Sequence, residues 1–335
     1  MNSIIQLFKD ILFGRTVTDT GALPHVPQPN DIHFNDVVAS ANPVNWITKT
    51  SYRMFPDLNQ YYSSECGAFS ARKYLGIHFQ QKYGHWIDFE EADIYQRRVN
   101  RPQLGMNLSD IFSILSKGVT LKTLTNVKNQ TDADADNALI EQFEHDVGSV
   151  FSITGTPVYI NAGDIDTIAS VIQTTGKGVI IMVYFLPEEW GRYVPQVLDT
   201  TINQTSPNTL KHYVVATDYT LYNGQKCLVI EDSAWFGGIN RRVVTEAFLK
   251  ARNIANAYGM NFKFENSAMP KYTGSIISFQ QCMQAISLFP TNVATVEIFG
   301  PLSQKACKDF QTKYQLPVTG QIDSLTVTKL YQLFN

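Results

Sequence analysis

The chain has 335 residues, 44% hydrophobic and 17% charged, with a formal net charge of -3. That length suits one large domain plus a small one. The charge balance gives no electrostatic footprint for nucleic acid or an anionic membrane, and no apolar run approaches the ~20 residues of a membrane span.

At the N-terminus, Ile4, Ile5, Phe8, Ile11 and Leu12 recur at helical spacing and predict a short amphipathic helix docked on a partner surface. The segment lacks a basic start and a continuous apolar stretch, so it does not read as a signal peptide. Residues 14–60, rich in Pro, Asn, Asp and Thr, read as an extended lead-in with turns.

A helix is expected from Cys66 to about Tyr83, and a second after the capping types of Asn107-Leu108-Ser109-Asp110, stopped by Gly118. The alternating carboxylates of Asp132-Ala133-Asp134-Ala135-Asp136 look like a calcium loop. Asn137 and Phe143, however, stand where such a loop needs glycine and glutamate, so an acidic helix start before Ala138–Phe143 is the better reading. A third helix spans Ile165–Thr174, ended by Gly176, and feeds a buried strand over 179–186. Two alternating runs, Tyr213–Tyr219 and Lys226–Glu231, are joined through Tyr222-Asn223-Gly224, a hairpin signal. Further strands are expected at Arg242–Thr245, Asn261–Phe264 and Ser275–Phe279, with a helix from Glu246. Early helices followed by antiparallel strands make the fold class α+β.

The four cysteines, Cys66, Cys227, Cys282 and Cys307, form no C-x-x-C pair, which removes metal-knuckle and thioredoxin-like readings. No cofactor or metal is expected. Cys66 differs from the others in opening a helix, where the positive end of the macrodipole favours thiolate, the nucleophilic form. Taken alone it reads more readily as a small buried apolar residue. A cysteine nucleophile needs a base, an orienter for that base and donors for the oxyanion. His212, just before a strand, supplies the base, and Asp232, closing the next strand, would sit beside it if the two strands pair. Trp235 would cover the His–Asp contact from water, and the Gln60 amide with the Cys66 N–H would form the oxyanion hole. The other histidines, His25, His33, His78, His85 and His145, lack such a context.

The run Gln60, five residues, Cys66-Gly67-Ala68-Phe69-Ser70 resembles the signature of papain-like cysteine peptidases. His212 through Tyr219 is similar to that family's histidine block, and Asp232-Ser233-Ala234-Trp235 to its Asn-Ser-Trp block. Gly105-Met106 resembles the glycine segment that holds substrate backbone. The resemblance covers about residues 30–280. It implies a two-lobed fold, a helical lobe beside an antiparallel β lobe, and thioester catalysis by Cys66, His212, Asp232 and Gln60, with Gly105, Gly67 and Trp235 lining the substrate. Gly67 replaces the usual aromatic, which predicts a thinner cleft wall. Asp232 replaces asparagine and would stabilise an imidazolium more strongly.

The last residues change character. Phe299-Gly300-Pro301, Ala306 with Phe310-Gln311, Thr319-Gly320-Gln321-Ile322-Asp323 and Thr326 with Leu330 resemble a three-helix peptidoglycan-binding module, with Gln281 to Leu288 as its first helix. The organisation expected is an extension at 1–29, a peptidase domain at 30–274 and the module at 275–335. The implied partners are a peptide or peptidoglycan-stem substrate and, through residues 275–335, the cell wall. Without a signal peptide, this combination implies a phage-type lysin or virion component, made in the cytoplasm and acting at the wall. Two other readings stay open, a non-catalytic binding protein on the same scaffold and an acyl transferase. Residues 1–29 are a further expectation, as a segment packing over the cleft.

Overall fold

The computed structural model describes residues 21–37, 43–61, 63–128, 131–153, 155–186, 197–198, 209–234, 240–252, 258–262, 270–286 and 288–334. The expected N-terminal helix and Trp235 lie outside them.

Chain order begins with a short helix α1 (Phe34–Val37) and the long helix α2 (Cys66–Tyr83), followed by α3 (Glu91–Gln96), α4 (Leu108–Leu115), α5 (Asp132–Asp136) and α6 (Gln142–Gly148). Strand β1 (Pro157–Asn161), helix α7 (Ile165–Thr175) and strands β2 (Val179–Phe185), β3 (Val197–Leu198), β4 (Leu210–Tyr222), β5 (Gln225–Glu231) and β6 (Arg241–Thr245) come next. Helix α8 (Glu246–Ala251), strand β7 (Tyr258–Phe262) and helices α9 (Ile276–Ala285), α10 (Pro301–Lys313) and α11 (Ser324–Phe334) complete the chain.

Local chemistry sets most of these boundaries. Asn107 caps α4 by accepting from the Asp110 N–H, and Gly176 ends α7 in the left-handed conformation. Asn223 and Gly224, both at positive φ, close the β4–β5 hairpin. The acidic run is a helix with a capping box between Thr131 and Asp134, but it stops at Asp136. Ala138–Glu141 is not helical, so the helix expected there starts later, at Gln142. The expected strand at Ser275–Phe279 is a helix. Ser275 accepts from the Ser278 N–H as an N-cap, and the β-branched pair Ile276-Ile277 follows inside the first turn.

The sheet has order β1-β7-β2-β4-β5-β6-β3 and is antiparallel except for the parallel β3–β6 pair. Its two faces bury different partners, as period-2 alternation requires. Ile180, Met182, Tyr184, Tyr213 and Val215 pack against Cys66, Ala68, Tyr74 and Ile111 of the helical lobe. Val179, Ile181, Val183, Phe185, Val214 and Ala216 share the opposite core with Ile168 and Ile172 of α7. That core continues through Phe279, Met283, Ala306, Phe310 and Leu330, so the C-terminal helices belong to one apolar interior with the sheet. Among the described residues, no helix is long and apolar enough to cross a membrane.

Candidate active site

Helix α2 runs through the middle of the helical lobe and is buried along most of its length, including Cys66, Ala68, Phe69, Ala71, Tyr74, Leu75, Ile77 and Phe79. Gly84 caps its far end with a left-handed turn. Cys66 is the first helical residue and is fully buried. Glu65, at the N-cap, makes no side-chain cap hydrogen bond.

The thiol meets the β lobe at β4. The Tyr213 backbone N–H points at Cys66 Sγ across 3.5 Å, one residue past His212. His212 lies inside β4, opposite Val183, rather than just before it. Its ring packs edge-on to Phe185, with centroids 5.8 Å apart. The β4–β5 pairing brings Val215 opposite Glu231 and so delivers Asp232 next to the histidine; His212 Nε2 to Asp232 Oδ1 is 3.9 Å. Burial, and after it the Arg242 cation, push the His212 imidazolium down to about 3, so the ring is neutral at ordinary pH.

Gln60 joins the two lobes. Its backbone N–H donates to the Ser233 carbonyl at 2.9 Å, and its side-chain oxygen accepts from Ser233 Oγ at 2.7 Å. The amide nitrogen donates to the Ser63 carbonyl at 2.9 Å. An NH₂ group carries two protons, and the second is the one an oxyanion would use. Ser233 follows Asp232, so this clamp fixes the loops bearing the nucleophile and the carboxylate against each other. A buried pair, Lys73 to Glu231 at 2.8 Å, ties α2 to the end of β5 in the same way.

Gly67 does not open a cleft wall. A Cβ there would lie 3.0 Å from the Met106 Cβ and 3.5 Å from the Tyr213 ring, so those two side chains already fill the space. Gly105, at φ +85, is crowded from another side, since a Cβ would come within 2.6 Å of the Gly21 carbonyl oxygen. The reason lies in the 1–29 segment. Gly21–Leu23 runs beside Gly105–Met106 as a parallel bridge, with Met106 N–H donating to Gly21 O at 2.8 Å and Leu23 N–H donating to Met106 O at 2.9 Å. Tyr213 Oη donates to Leu23 O at 2.7 Å. Ala22 is fully buried in the same cluster as Cys66, and a Cβ on Gly21 would stand 1.7 Å from the Ser64 carbonyl oxygen. The chain's own backbone therefore occupies the strip that the resemblance assigns to substrate.

Arg242 was also not singled out by the sequence. Its guanidinium binds Asp232 Oδ2 inside the protein. The available signal was the doublet Arg241-Arg242 on a strand, because alternation turns one of the two inward. Among the described residues, no group of three or more His, Cys, Asp or Glu is arranged to hold a metal ion.

Comparison with known proteins bears on the fold. Residues 275–330 match the family model described as "Putative peptidoglycan binding domain". The cysteine protease xylellain from Xylella fastidiosa superposes with a TM-score of 0.56 at 14% identity, over 73% of this chain and 96% of that one. A digestive procathepsin L 3 from the larval midgut of Tenebrio molitor gives 0.51 at 18% identity, over 69% and 75%. No curated protein sequence matches the chain. The chain thus has the α+β fold of papain-like cysteine proteases, followed by a peptidoglycan-binding-type module.

Proposed function

We propose that the chain is a cysteine peptidase directed to bacterial cell wall, with Cys66 as nucleophile and His212 as its base. In this reading the Cys66 proton passes to His212 and the sulfur attacks the carbonyl carbon of a peptide bond. The oxyanion is held by the Cys66 N–H and the Gln60 amide. The C–N bond then breaks as His212 returns the proton to the leaving amine, and water hydrolyses the thioester. Asp232 orients the ring, and Gly105 holds substrate backbone once Gly21–Leu23 has left the strip. The observation that carries the proposal is the meeting of the α2 N-terminus with β4 one residue from His212, while Asp232 flanks that same ring. The fold it stands on and the module at 275–330 support the peptidase class and the wall as the place of action. A lysin or virion component of phage type is the setting we favour for that pairing.

A second reading, a non-catalytic binding protein, draws on the covered strip and on a histidine held neutral by burial. Labelling with iodoacetamide separates the two. Activated alkylation of Cys66 at neutral pH, lost in His212→Ala, is expected of the peptidase. Burial drives the Cys307 thiol up to about 11, which makes it a suitable slow reference. Cys66 labelling no faster than Cys307 would sink the catalytic reading.

A further inference from the structure

The Asp232 carboxylate binds Arg242 and faces His212 without a hydrogen bond to it. Oδ1 lies 3.9 Å from His212 Nε2, while Oδ2 is taken by Arg242 Nη1, and all three side chains are completely shielded from solvent. Arg242 comes from β6, whose register sets it opposite Ile230, two residues before Asp232. The Asp232 N–H also donates to the Asn240 carbonyl at 2.9 Å, which draws the β6 entry against the same turn.

An asparagine at this place would bring the imidazole an oriented acceptor without charge. An aspartate alone would set a full negative charge beside the ring in a site without water, favouring a permanently protonated histidine and costing heavily in desolvation. We propose that Arg242 is a positioning residue of the Cys66 site, cancelling the charge of Asp232 and fixing its second oxygen so that the pair presents His212 with a neutral, oriented acceptor. The inference rests on the peptidase reading.

The charges around the ring fit this role. Helix α2 contributes Cys66, which meets β4 at the Tyr213 N–H, and β2 contributes the uncharged Phe185 ring. Glu231, next to Asp232, is itself bound by Lys73 at 2.8 Å and by Arg241 at 3.1 Å. After burial, Arg242 is the group that holds the imidazolium down, as a cation placed to offset the carboxylate must.

The test is the pH profile of Cys66 alkylation in the full chain, read by peptide mass spectrometry so that the other thiols are resolved. In a thiolate–imidazolium pair the acid limb reports formation of the pair and the alkaline limb its loss. Arg242→Met leaves Asp232 uncancelled, so the limbs should move apart by about one pH unit or more. Asp232→Asn leaves Arg242 uncancelled, so the profile should narrow. The double variant Asp232→Asn/Arg242→Met should restore the wild-type width, and Arg242→Lys should stay near it. If Arg242→Met fails to fold, the narrowing in Asp232→Asn and its reversal in the double variant carry the test. Unmoved limbs in the single variants, or a double variant whose width stays as far from the wild type as that of either single, would overturn the inference while leaving the peptidase reading intact. A wild-type profile without His212-dependent limbs would defeat that reading and this inference with it.

Discussion

His212 is the proposed base, and its burial has a measurable consequence for stability. An exposed histidine in the unfolded chain takes up a proton near pH 6.5, whereas the folded ring does so only near 3. Below pH 6.5 the unfolded state therefore binds more protons, and folding stability falls as acid is added, by up to about 1.4 kcal/mol per pH unit from this group. The contribution is fully present above pH 6.5 and is lost progressively toward pH 3. Thermal melts at pH 7 and pH 4 should show a drop that His212→Gln reduces. An identical drop in the variant would place the acid sensitivity elsewhere, for instance at His78, which burial lowers to about 4.

Single elements carry two further expectations. In α10, Gln311 is fully buried, and its amide nitrogen donates to Thr319 Oγ1, the Gln321 carbonyl and Thr326 Oγ1, each at 2.9 Å. Its oxygen accepts from the Gly320 N–H at 2.8 Å. One side chain thus closes the turn between α10 and α11. Gln311→Leu, which orphans several of these groups, should destabilise the module by about 2–3 kcal/mol, read as a lowered melting midpoint. The second element is the segment over the cleft. Removing residues 1–29 deletes three backbone-directed hydrogen bonds at the strip, and Gly21→Val would drive a side chain into the Ser64 carbonyl at a positive φ. Both changes should raise the Cys66 labelling rate by about tenfold or more. Unchanged kinetics in both would show that the segment does not obstruct the thiol.

At the scale of the whole molecule, the module is built into the body rather than strung from it. Tyr314 Oη donates to the Asp36 carbonyl at 2.8 Å, and the α9–α11 core merges with that of the sheet. The open cleft of about 510 Å³ lined by Leu288, Phe289, Pro290, Thr291, Leu302 and Lys305 is the module's candidate contact with the wall. Full-chain Leu302→Asp should therefore pull down with purified cell wall less than the wild type, at unchanged melting temperature. Equal retention would move the contact elsewhere.

Much of this was legible in advance where the signal is local. Cys66 opens its helix as expected, Asn223-Gly224 closes its hairpin, and the β4–β5 pairing delivers Asp232 to His212 from the order of two alternating runs. What stayed hidden depends on distant partners. β1 and β7 pair across about a hundred residues, and the 1–29 segment docks at Met106 through backbone groups that leave no side-chain pattern to give the place. At Ser275–Phe279 a strand is expected, yet the Ser275 cap, the distant Glu297 carboxylate accepting from the Ile276 and Ile277 N–H groups, and burial of Phe279, Cys282 and Met283 favour a helix. Gly67 reads as a missing wall until Met106 and Tyr213 are seen standing in its place.

The lead-in that lies along Gly105–Met106 also reaches the module, since the same stretch runs from Gly21 at Met106 to Asp36 at Tyr314 and Lys313. An occupant on the same chain competes at a fixed effective concentration, which dilution of the protein leaves unchanged. A substrate in free solution must outcompete it by mass action. If the proposed function holds, wall bound at the module would present its own peptides at a second effective concentration, and the ratio of the two, rather than either affinity, would set how much of the site is open.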